Sequence, residues 1–503
     1  MKQFATLSSV VFFLAFANSL HAQQSSVFFD RQWIGPVSTS EMLNASASPL
    51  EYLGYDTTLY TRIVAAMTKR WNAAHVYDRH GVAFSVLMNG APQITGAIGT
   101  DTGTIALDTT LLFEVGSVSK TFTAALIMKL QEEGKLSLTD SLHKWLRAYN
   151  NIDTNITILQ LLNHSSGIYD YINDDPNKRA LEAQYSGDPS KHWTPEDVLQ
   201  YVGSPNFKPG ARYRYCNTGY VLLAMIAEKA GGASLRDQLH ANFIDPLHLT
   251  HTYVGGYDSI PETFAHDWQL IDTADYSDLY DIQKTAHLSG SFGDGEIVST
   301  PGDLARWGAA LYLAKVLTPA SIIAMTSPLH TIAGAGLFGL GTQEAPYYTR
   351  KFFGHSGHML GFVTEMFTNM ADSVTVVAYL NADGNPFSKT PSLNDYLVDV
   401  LKEVYSIPSG VAVLLKNGDG SISVYPNPVK DHATFSFDLD HSGSIALRIY
   451  DVMGREVMAN GGASLHSGHN TLSIELSSLR RGNYFYTLQT SSGAVSGKFE
   501  IGD

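Results

Sequence analysis

The chain has 503 residues, and 33 Lys and Arg against 48 Asp and Glu give it a formal net charge of −15. A surface with this charge repels phosphate backbones, so nucleic-acid binding is disfavoured. Hydrophobic residues at 44% and charged residues at 16% exclude a disordered chain. The single cysteine, Cys216, excludes an intramolecular disulfide and any metal site built from several thiolates.

The first 22 residues have the pattern of a signal peptide. Lys2 precedes an apolar run over residues 10–17, and Leu20-His21-Ala22 offers small residues for cleavage. An apolar N-terminal helix of the folded domain is the alternative. No later stretch reaches about 18 consecutive apolar residues, so we expect an exported protein without a transmembrane helix. Residues 23–56 are interpreted as an N-terminal extension with no assigned role.

Residues 57–407 are predicted to form one domain of mixed α and β structure. Apolar residues at four-residue spacing indicate a helix from Leu59 to about Ala73, and alternating runs at 82–88 and 93–99 indicate a hairpin. Two further strands at 362–367 and 373–379 and a helix at 393–404 close the segment. Strands at both ends predict an antiparallel sheet flanked by helices, with a helical lobe inserted between them.

The first candidate for chemistry is Ser117 with Lys120. Phe122, Leu126 and Leu130 recur at helical spacing after them, which predicts that both lie on the first turn of a helix and on one face. A serine hydroxyl needs an adjacent base, and a lysine amine serves only if its pKa is lowered. A helix start also directs free backbone N–H groups towards an oxyanion. Ser-x-x-Lys occurs about once by chance in a chain of this length, so alone it is a weak signal.

Two further segments carry polar groups in suggestive places. Tyr215 and Asn217 lie just before an apolar helical run, although they could be a loop aromatic and a helix N-cap. His355-Ser356-Gly357 reads as a strand edge, and Gly357 would let a substrate backbone approach closely. A glycine-rich strand turn with a surface histidine is the alternative for this segment.

In this order and at these separations, Ser-x-x-Lys, Tyr-x-Asn and His-Ser-Gly resemble the serine β-lactamase and penicillin-recognising peptidase superfamily. The class C β-lactamases and D-alanyl-D-alanine carboxypeptidases are the most similar types, and segments 161–168 and 298–307 also match. The resemblance covers about 350 residues. It implies a β-lactamase-like α/β (α+β) domain with its site in a cleft between the sheet and the helical lobe.

The resemblance also assigns roles to these residues. Ser117 would be the acylated nucleophile, Lys120 its proton acceptor and Tyr215 the relay to the leaving group. Asn217, His355, Ser356 and Gly357 would bind substrate, with Asn217 holding its amide. The backbone N–H groups of Ser117 and His358 would form the oxyanion hole. No metal or other cofactor is implied.

Two positions depart from the lactamase pattern. His355 replaces the usual lysine of the third motif, which is more similar to the carboxypeptidases and esterases of the group and weighs against efficient β-lactam hydrolysis. Cys216 stands where Ser or Ala is commoner. We interpret it as a packed small residue, because a thiolate beside Tyr215 would compete with Ser117.

The last 81 residues, 423–503, alternate apolar and polar residues in short runs that predict a small all-β sandwich. Residues 408–422 before them are turn-rich and polar, as in a linker. Four segments, 424–428, 450–457, 479–485 and 497–499, resemble the C-terminal sorting domain of the bacterial type IX secretion system. A carbohydrate-binding or adhesion sandwich is the alternative, but the aromatic residues alternate as core residues do.

These features predict a secreted or cell-surface serine hydrolase that handles a small peptide, ester or β-lactam substrate and is exported by the type IX machinery. A D-alanyl-D-alanine carboxypeptidase or esterase-like activity is favoured, and a class C-like β-lactamase is the alternative. A non-catalytic binding protein on a hydrolase scaffold is the alternative of another class. No G-x-S-x-G or H-E-x-x-H motif is present, which disfavours lipase-like and zinc-protease chemistry.

Overall fold

The computed structural model describes residues 57–74, 80–88, 91–270, 276–327, 338–347, 350–383, 392–405, 423–439, 443–450, 456–490 and 493–502. The predicted signal peptide, N-terminal extension and linker lie outside these residues. The chain divides into two compact units, with the boundary after Val400. The domain bounds given above remain predictions.

The first unit contains both helices and strands. Its strands are β1 (Gly81–Met88), β2 (Ile94–Gly99), β3 (Phe113–Glu114), β4 (Tyr253–Val254), β5 (Trp268–Leu270), β6 (Tyr276–Asp278), β7 (Ile297–Ser299), β8 (Gln343–Tyr347), β9 (Arg350–Met359), β10 (Phe362–Asn369), β11 (Val374–Leu380) and β12 (Ala382–Asp383). Its helices are α1 (Thr57–Ala74), α2 (Ser119–Glu132), α3 (Leu142–Trp145), α4 (Ile158–Leu162), α5 (Arg179–Ser186), α6 (Pro195–Leu199), α7 (Asn217–Gly231), α8 (Leu235–Leu239), α9 (Thr285–Gly290), α10 (Pro301–Tyr312), α11 (Pro319–Thr326) and α12 (Leu393–Tyr405), which continues past Val400.

The main sheet has six strands in the order β2-β1-β11-β10-β9-β8, and every neighbouring pair is antiparallel. Two strands from the start of the domain therefore join four from its end. The predicted antiparallel sheet built from both ends is confirmed, although the sequence analysis did not name β8. The central strand β11 is buried along its whole length, which explains its continuous apolar run. Helix α10 packs on β1, β10 and β11, and α1 packs on β2.

The segment between β2 and β8 supplies the predicted helical lobe. Helices α2 and α10 contact each other in its core, where the rings of Phe122 and Trp307 stack with centroids 3.9 Å apart. The Trp307 indole N–H also donates to Thr121 Oγ1 over 2.9 Å, so this buried polar group is satisfied. Helix α2 is buried along most of its length and is fixed in position by this packing.

The second unit contains the strands β13 (Ser423–Tyr425), β14 (His432–Leu439), β15 (Gly443–Tyr450), β16 (Glu456–Leu465), β17 (Gly468–Glu475), β18 (Gly482–Thr490) and β19 (Gly493–Ile501). They form a three-stranded sheet, β13-β14-β17, and a four-stranded sheet, β16-β15-β18-β19. Phe435 of one sheet meets Tyr486 of the other edge to face, with centroids 4.9 Å apart, inside one apolar core. The prediction of a small sandwich with its aromatic residues mainly in the core is confirmed.

None of the helices in the described part of the chain combines the length and the apolar character that crossing a membrane requires.

Removal of residues 423–503 is expected to leave catalysis intact, because the two units have separate cores. It is also expected to block release across the outer membrane, because these residues resemble a sorting domain. The check is the activity of the purified truncated protein together with its secretion in the native host. Activity below about a tenth of the full-length value would show that the first unit depends on the second. Normal secretion of the truncated chain would contradict the sorting role.

Candidate active site

Ser117 lies on a short 3-10 turn, Gly116–Val118, and α2 begins only at Ser119. The prediction that Ser117 occupies the first turn of the α-helix was therefore wrong in detail. The reason is the close packing of the turn against β9. Gly116 has φ +53°, and a Cβ at this position would lie 2.7 Å from the backbone N of His358. Only glycine fits this conformation and this approach.

Lys120 lies one turn after Ser117, as predicted, and is fully buried. Its Nζ is 3.1 Å from Ser117 Oγ and 2.7 Å from the carbonyl oxygen of Asp294. Burial is the main cause of a lowered pKa of Lys120, which the negative charges of Asp294, Asp170 and Glu296 oppose. A buried amine with a lowered pKa, hydrogen-bonded to a hydroxyl, can accept the proton of that hydroxyl.

Tyr215 lies on the other side of the same amine, with its ring centroid 5.1 Å from Lys120 Nζ. Burial raises the pKa of Tyr215 well above its usual value, and the neighbouring Ser117 side chain opposes that rise. The phenol is therefore neutral at pH 7. The His164 ring packs against it with centroids 4.5 Å apart, and His164 Nδ1 accepts a hydrogen bond from the Cys216 backbone N–H.

Strand β9 brings His355 to the same site, with its ring centroid 6.1 Å from that of Tyr215. His355 is 1% exposed, and its Nδ1 donates to the carbonyl oxygen of Ser356 over 2.6 Å. Burial, followed by the charge of Lys120, lowers the pKa of His355 to about 3. The imidazole is neutral at pH 7 and presents Nε2 as an acceptor.

The other residues of the third motif have different surroundings. Both the backbone N–H and the hydroxyl of Ser356 donate to Gln343 Oε1 on β8, over 3.0 and 3.1 Å. Gly357 packs tightly against the turn that carries Ser117, because a Cβ at Gly357 would lie only 1.9 Å from the carbonyl oxygen of Val115. This contact holds the turn carrying Ser117 beside the backbone N of His358. The approach of a substrate backbone to the strand edge at Gly357 stays a prediction.

Asn217 is the first residue of α7 and is held by Asp170, which the sequence analysis missed. Asp170 is fully buried, and its carboxylate accepts from the backbone N–H of Asn217 over 2.9 Å and from Asn217 Nδ2 over 3.1 Å. The available signal was the segment 161–168, which matches the family and ends two residues before Asp170.

A loop between α9 and β7 packs against the Lys120 amine, and the sequence analysis did not identify this loop. The Asp294 side chain accepts from the Tyr171 hydroxyl over 3.0 Å, while its backbone carbonyl accepts from Lys120. Burial raises the pKa of Asp294 to about 7 and that of Glu296 to about 8. Neither carboxyl therefore carries a full charge at neutral pH, which limits how strongly this loop stabilises the charged form of Lys120.

Cys216 is 2% exposed, and its Sγ lies 3.4 Å from the carbonyl oxygen of Ile168. Burial raises the pKa of the Cys216 thiol well above its usual value. A neutral, enclosed thiol is a packed side chain and a poor nucleophile.

Comparison with known proteins defines the class of this site. The Beta-lactamase family model matches residues 63–398, and a model described as the Secretion system C-terminal sorting domain matches residues 423–501. The chain belongs to the beta-lactamase family, whose members are serine acyl-transfer hydrolases, and it carries a sorting domain for type IX export to the cell surface or beyond.

Individual relatives share about a quarter to a third of their residues with this chain over the matched region. Penicillin-binding protein 4* of Bacillus subtilis is 32% identical over 293 residues, which are 55% of this chain and 62% of that protein. Teichoic acid D-alanine hydrolase of Staphylococcus aureus is 25% identical over 287 residues, which are 54% of this chain and 63% of that protein. The chain thus spans under two thirds of the length of these relatives.

Among solved structures, the D-stereospecific amidohydrolase from Streptomyces sp. is 26% identical with a TM-score of 0.57, over 67% of this chain and 97% of that one. The D-amino acid amidase from Ochrobactrum anthropi SV3 in complex with L-phenylalanine amide is 22% identical with a TM-score of 0.60, over 69% and 99% of the two chains. The second likeness concerns the fold alone.

Burial of neutral His355 should make stability depend on pH. Because its folded pKa of about 3 lies below the unfolded value of about 6.5, the unfolded chain binds more protons between these values, and stability falls as the pH falls. Between pH 7 and pH 5, His355→Gln should lose about 2 kcal/mol less unfolding free energy than the wild type. Urea unfolding at both pH values measures this difference.

The control is His143→Gln, because His143 is exposed and its ring hydrogen-bonds the Thr154 carbonyl. This variant should follow the wild-type pH dependence. An equally steep loss of stability in His355→Gln and in the wild type would contradict the burial of a neutral imidazole.

Proposed function

We propose that this protein is an exported serine hydrolase that forms an acyl-enzyme on Ser117 and acts on D-alanyl peptides or esters. The observation that carries the proposal is the buried Lys120 amine, 3.1 Å from the Ser117 hydroxyl and lowered in pKa by its burial. An enclosed amine that is hydrogen-bonded to a serine hydroxyl and has a lowered pKa meets the requirements of a general base.

The proposed reaction begins when Lys120 Nζ takes the proton of Ser117 Oγ and the oxygen attacks the substrate carbonyl. The backbone N–H groups of Ser117 and His358 stabilise the oxyanion, a role supported by the packing of the turn against β9. Tyr215 passes the proton from Lys120 to the leaving group, which departs as an amine or alcohol. Water then attacks the acyl-enzyme, the same groups act in reverse, and the acid is released with Ser117 restored.

The substrate class follows from the relatives and from His355. One relative is named a teichoic acid D-alanine hydrolase and another a D-stereospecific amidohydrolase, and both names describe hydrolysis with D stereochemistry. A neutral imidazole at His355 offers less fixed positive charge to a β-lactam carboxylate than a lysine would. A class C-like β-lactamase is therefore the second candidate, supported by the family itself.

A labelled fluorophosphonate or penicillin tests whether the site reacts at all. The full-length protein should bind the label at Ser117, and Ser117→Ala should not, because Ser117 carries the hydroxyl that is hydrogen-bonded to the buried amine. Absence of labelling in the wild type would favour the non-catalytic scaffold.

Substitution of the acid–base groups should rank them. Ser117→Ala and Lys120→Ala should each abolish acylation, and the double variant should be hardly worse than either, because the two act as a unit. Tyr215→Phe should have an intermediate effect. His355→Ala should cost about ten- to a hundredfold in kcat/KM, since it removes positioning only.

Pre-steady-state acylation rates provide the measurement, and folded protein is verified by melting temperature. The reverse ranking, with Lys120→Ala near wild type and His355→Ala inactive, would make His355 the base and the site a Ser–His hydrolase.

Substrate preference should favour esters and D-Ala-D-Ala peptides over cephalosporins, because the neutral His355 imidazole supplies no cation to bind the lactam carboxylate. The values of kcat/KM for a p-nitrophenyl ester, a D-Ala-D-Ala peptide and nitrocefin decide this. A preference for nitrocefin above about a hundredfold, or roughly 2.7 kcal/mol in the transition state, would establish the lactamase alternative.

A further inference from the structure

The loop between α9 and β7 is tied to helix α2 by two buried hydrogen bonds. Thr123 Oγ1 donates to the Gly293 carbonyl oxygen over 2.8 Å. Lys120 Nζ donates to the Asp294 carbonyl oxygen over 2.7 Å. Covalent geometry keeps an aspartate carboxyl within about 5 Å of its own carbonyl oxygen, so the Asp294 side chain is held near the Lys120 amine.

The Asp294 carboxyl contacts a phenol that fits both of its protonation states. The Tyr171 hydroxyl oxygen lies 3.0 Å from Asp294 Oδ2 and 3.2 Å from the Gly290 carbonyl oxygen. A phenol has one proton to donate, and a carbonyl oxygen can only accept. When Tyr171 donates to Gly290, its contact with Asp294 is a hydrogen bond only if the carboxyl carries a proton and donates it. When Asp294 is ionised, Tyr171 can donate to it instead, so this site accommodates both states.

Asp294 differs in its partners from Asp170, another carboxyl whose charge acts on the amine. Asp170 accepts from the backbone N–H groups of Ile172 and Asn173 over 2.9 and 3.0 Å. These partners only donate, so they match a carboxylate and make Asp170 a fixed charge. Asp294 is 3% exposed, and burial raises its pKa to about 7, although the charge of Lys120 opposes this rise. Asp294 can therefore gain or lose its charge near neutral pH.

Other titratable groups face this pair from β9, from α7 and the segment before it, and from the loop after α4. Burial shifts the pKa of each of them away from neutrality, so that they stay uncharged: His164, Tyr171, Tyr215, Cys216, Tyr220 and His355. Glu296 is the exception, because burial raises its pKa only to about 8. Its Oε1 is enclosed without a hydrogen-bond partner among the described residues, which also favours the acid form.

We propose that Asp294 is a positioning residue that couples its own proton to Lys120, so that its acid form leaves the amine free to act as the base and its ionised form holds the amine as ammonium. This inference rests on the proposed function and deepens it by naming what sets the pH at which the base becomes available. The exchange balances, because the acid with the amine and the carboxylate with the ammonium carry the same protons and the same net charge.

Replacement of Asp294 by asparagine tests this coupling. Asp294→Asn keeps the backbone carbonyl that accepts from Lys120, and its amide can donate to Tyr171 as the acid form does, but it cannot ionise. The rate of fluorophosphonate labelling of Ser117 is measured from about pH 5 to pH 10. The variant should reach half of its maximal rate about one pH unit lower than the wild type, because no carboxylate stabilises the ammonium. Well below this midpoint it should react about tenfold faster, relative to its own maximal rate.

The sign of the shift separates the proposed role from a merely structural one. A loosened loop would let water reach the amine and would raise the pKa of Lys120, which moves the midpoint to higher pH. A midpoint that is unchanged or higher in Asp294→Asn would therefore overturn the inference. Asp294→Ala removes the same charge and should shift the midpoint downwards too, so it answers the question if the asparagine variant does not fold.

The protonation of Lys120 can also be followed without any reaction at Ser117. In protein labelled with 13C at lysine Cε, the Lys120 signal is the one missing from Lys120→Arg, and its chemical shift reports the loss of the ammonium proton. This titration should shift to lower pH in Asp294→Asn by the same unit of about one as the labelling rate.

Glu296→Gln and Glu365→Gln are the matched controls. The charge of Glu296 acts less strongly on Lys120 than that of Asp294, so Glu296→Gln should shift the titration in the same direction by a smaller amount. Burial raises the pKa of Glu365 to about 8, but Glu365 neighbours Met366, which pairs with His355, so it faces the other side of the sheet. Glu365→Gln should leave the titration unchanged. A shift in either control as large as in Asp294→Asn would overturn the assignment to Asp294.

The remaining outcomes separate this inference from the function on which it rests. Labelling of Ser117 with the same pH profile in the wild type and in Asp294→Asn would overturn the inference and leave the serine hydrolase intact. Absence of labelling at every pH would overturn the proposed function. The 13C titration would then still decide whether Asp294 controls the charge of Lys120.

Discussion

The site depends on keeping one amine out of water without giving it a fully charged partner. Among the described residues, Lys120 Nζ is hydrogen-bonded to a hydroxyl and to a backbone carbonyl, and no carboxylate oxygen lies within ion-pair distance. A carboxylate in contact would stabilise the ammonium form and remove the base, while water would do the same by solvation. The amine is kept from water and from a carboxylate because it is enclosed by α2, by the rings of Tyr215 and Tyr220, and by the loop at Asp294.

This constraint extends to the groups around the amine. His164 and His355 are both buried, and the charge of Lys120 adds to burial in lowering the pKa of each. Asp294 and Glu296 have raised pKa values for the same basic reason, the cost of a charge away from water. Burial thus keeps these four side chains near neutrality, so they add little charge that would compete with a developing oxyanion.

The second requirement is the position of Ser117, and it is met by backbone packing. Gly116 and Gly357 let a 3-10 turn and a sheet strand approach until the Val115 carbonyl and the His358 backbone are in contact with the opposite element. A site built on elements this close has little freedom to move, which suits a reaction that depends on alignment of a nucleophile, a base and backbone donors. The buried stacking of Phe122 on Trp307 also fixes helix α2, which follows this turn directly.

Sequence alone determined the features that are local in the chain. Four-residue spacing predicted helices α1 and α2, and alternation predicted the hairpin and the C-terminal strands. Ser117 and Lys120 are neighbours because they are three residues apart. The matched family motifs indicated the role of segments that are distant in sequence, such as Tyr215 and His355.

Only the tertiary structure decided which side chains are buried and which residues distant in sequence are in contact. No local pattern distinguishes a solvated Lys120 from an enclosed one, and the 3-10 turn at Ser117 exists because a strand more than 230 residues later packs against Gly116. Asp170 precedes Asn217 by 47 residues, so its hold on the amide could not be seen from spacing. Desolvation and hydrogen-bond orientation are set by every element that surrounds a group, and such neighbours are fixed only when the chain is folded.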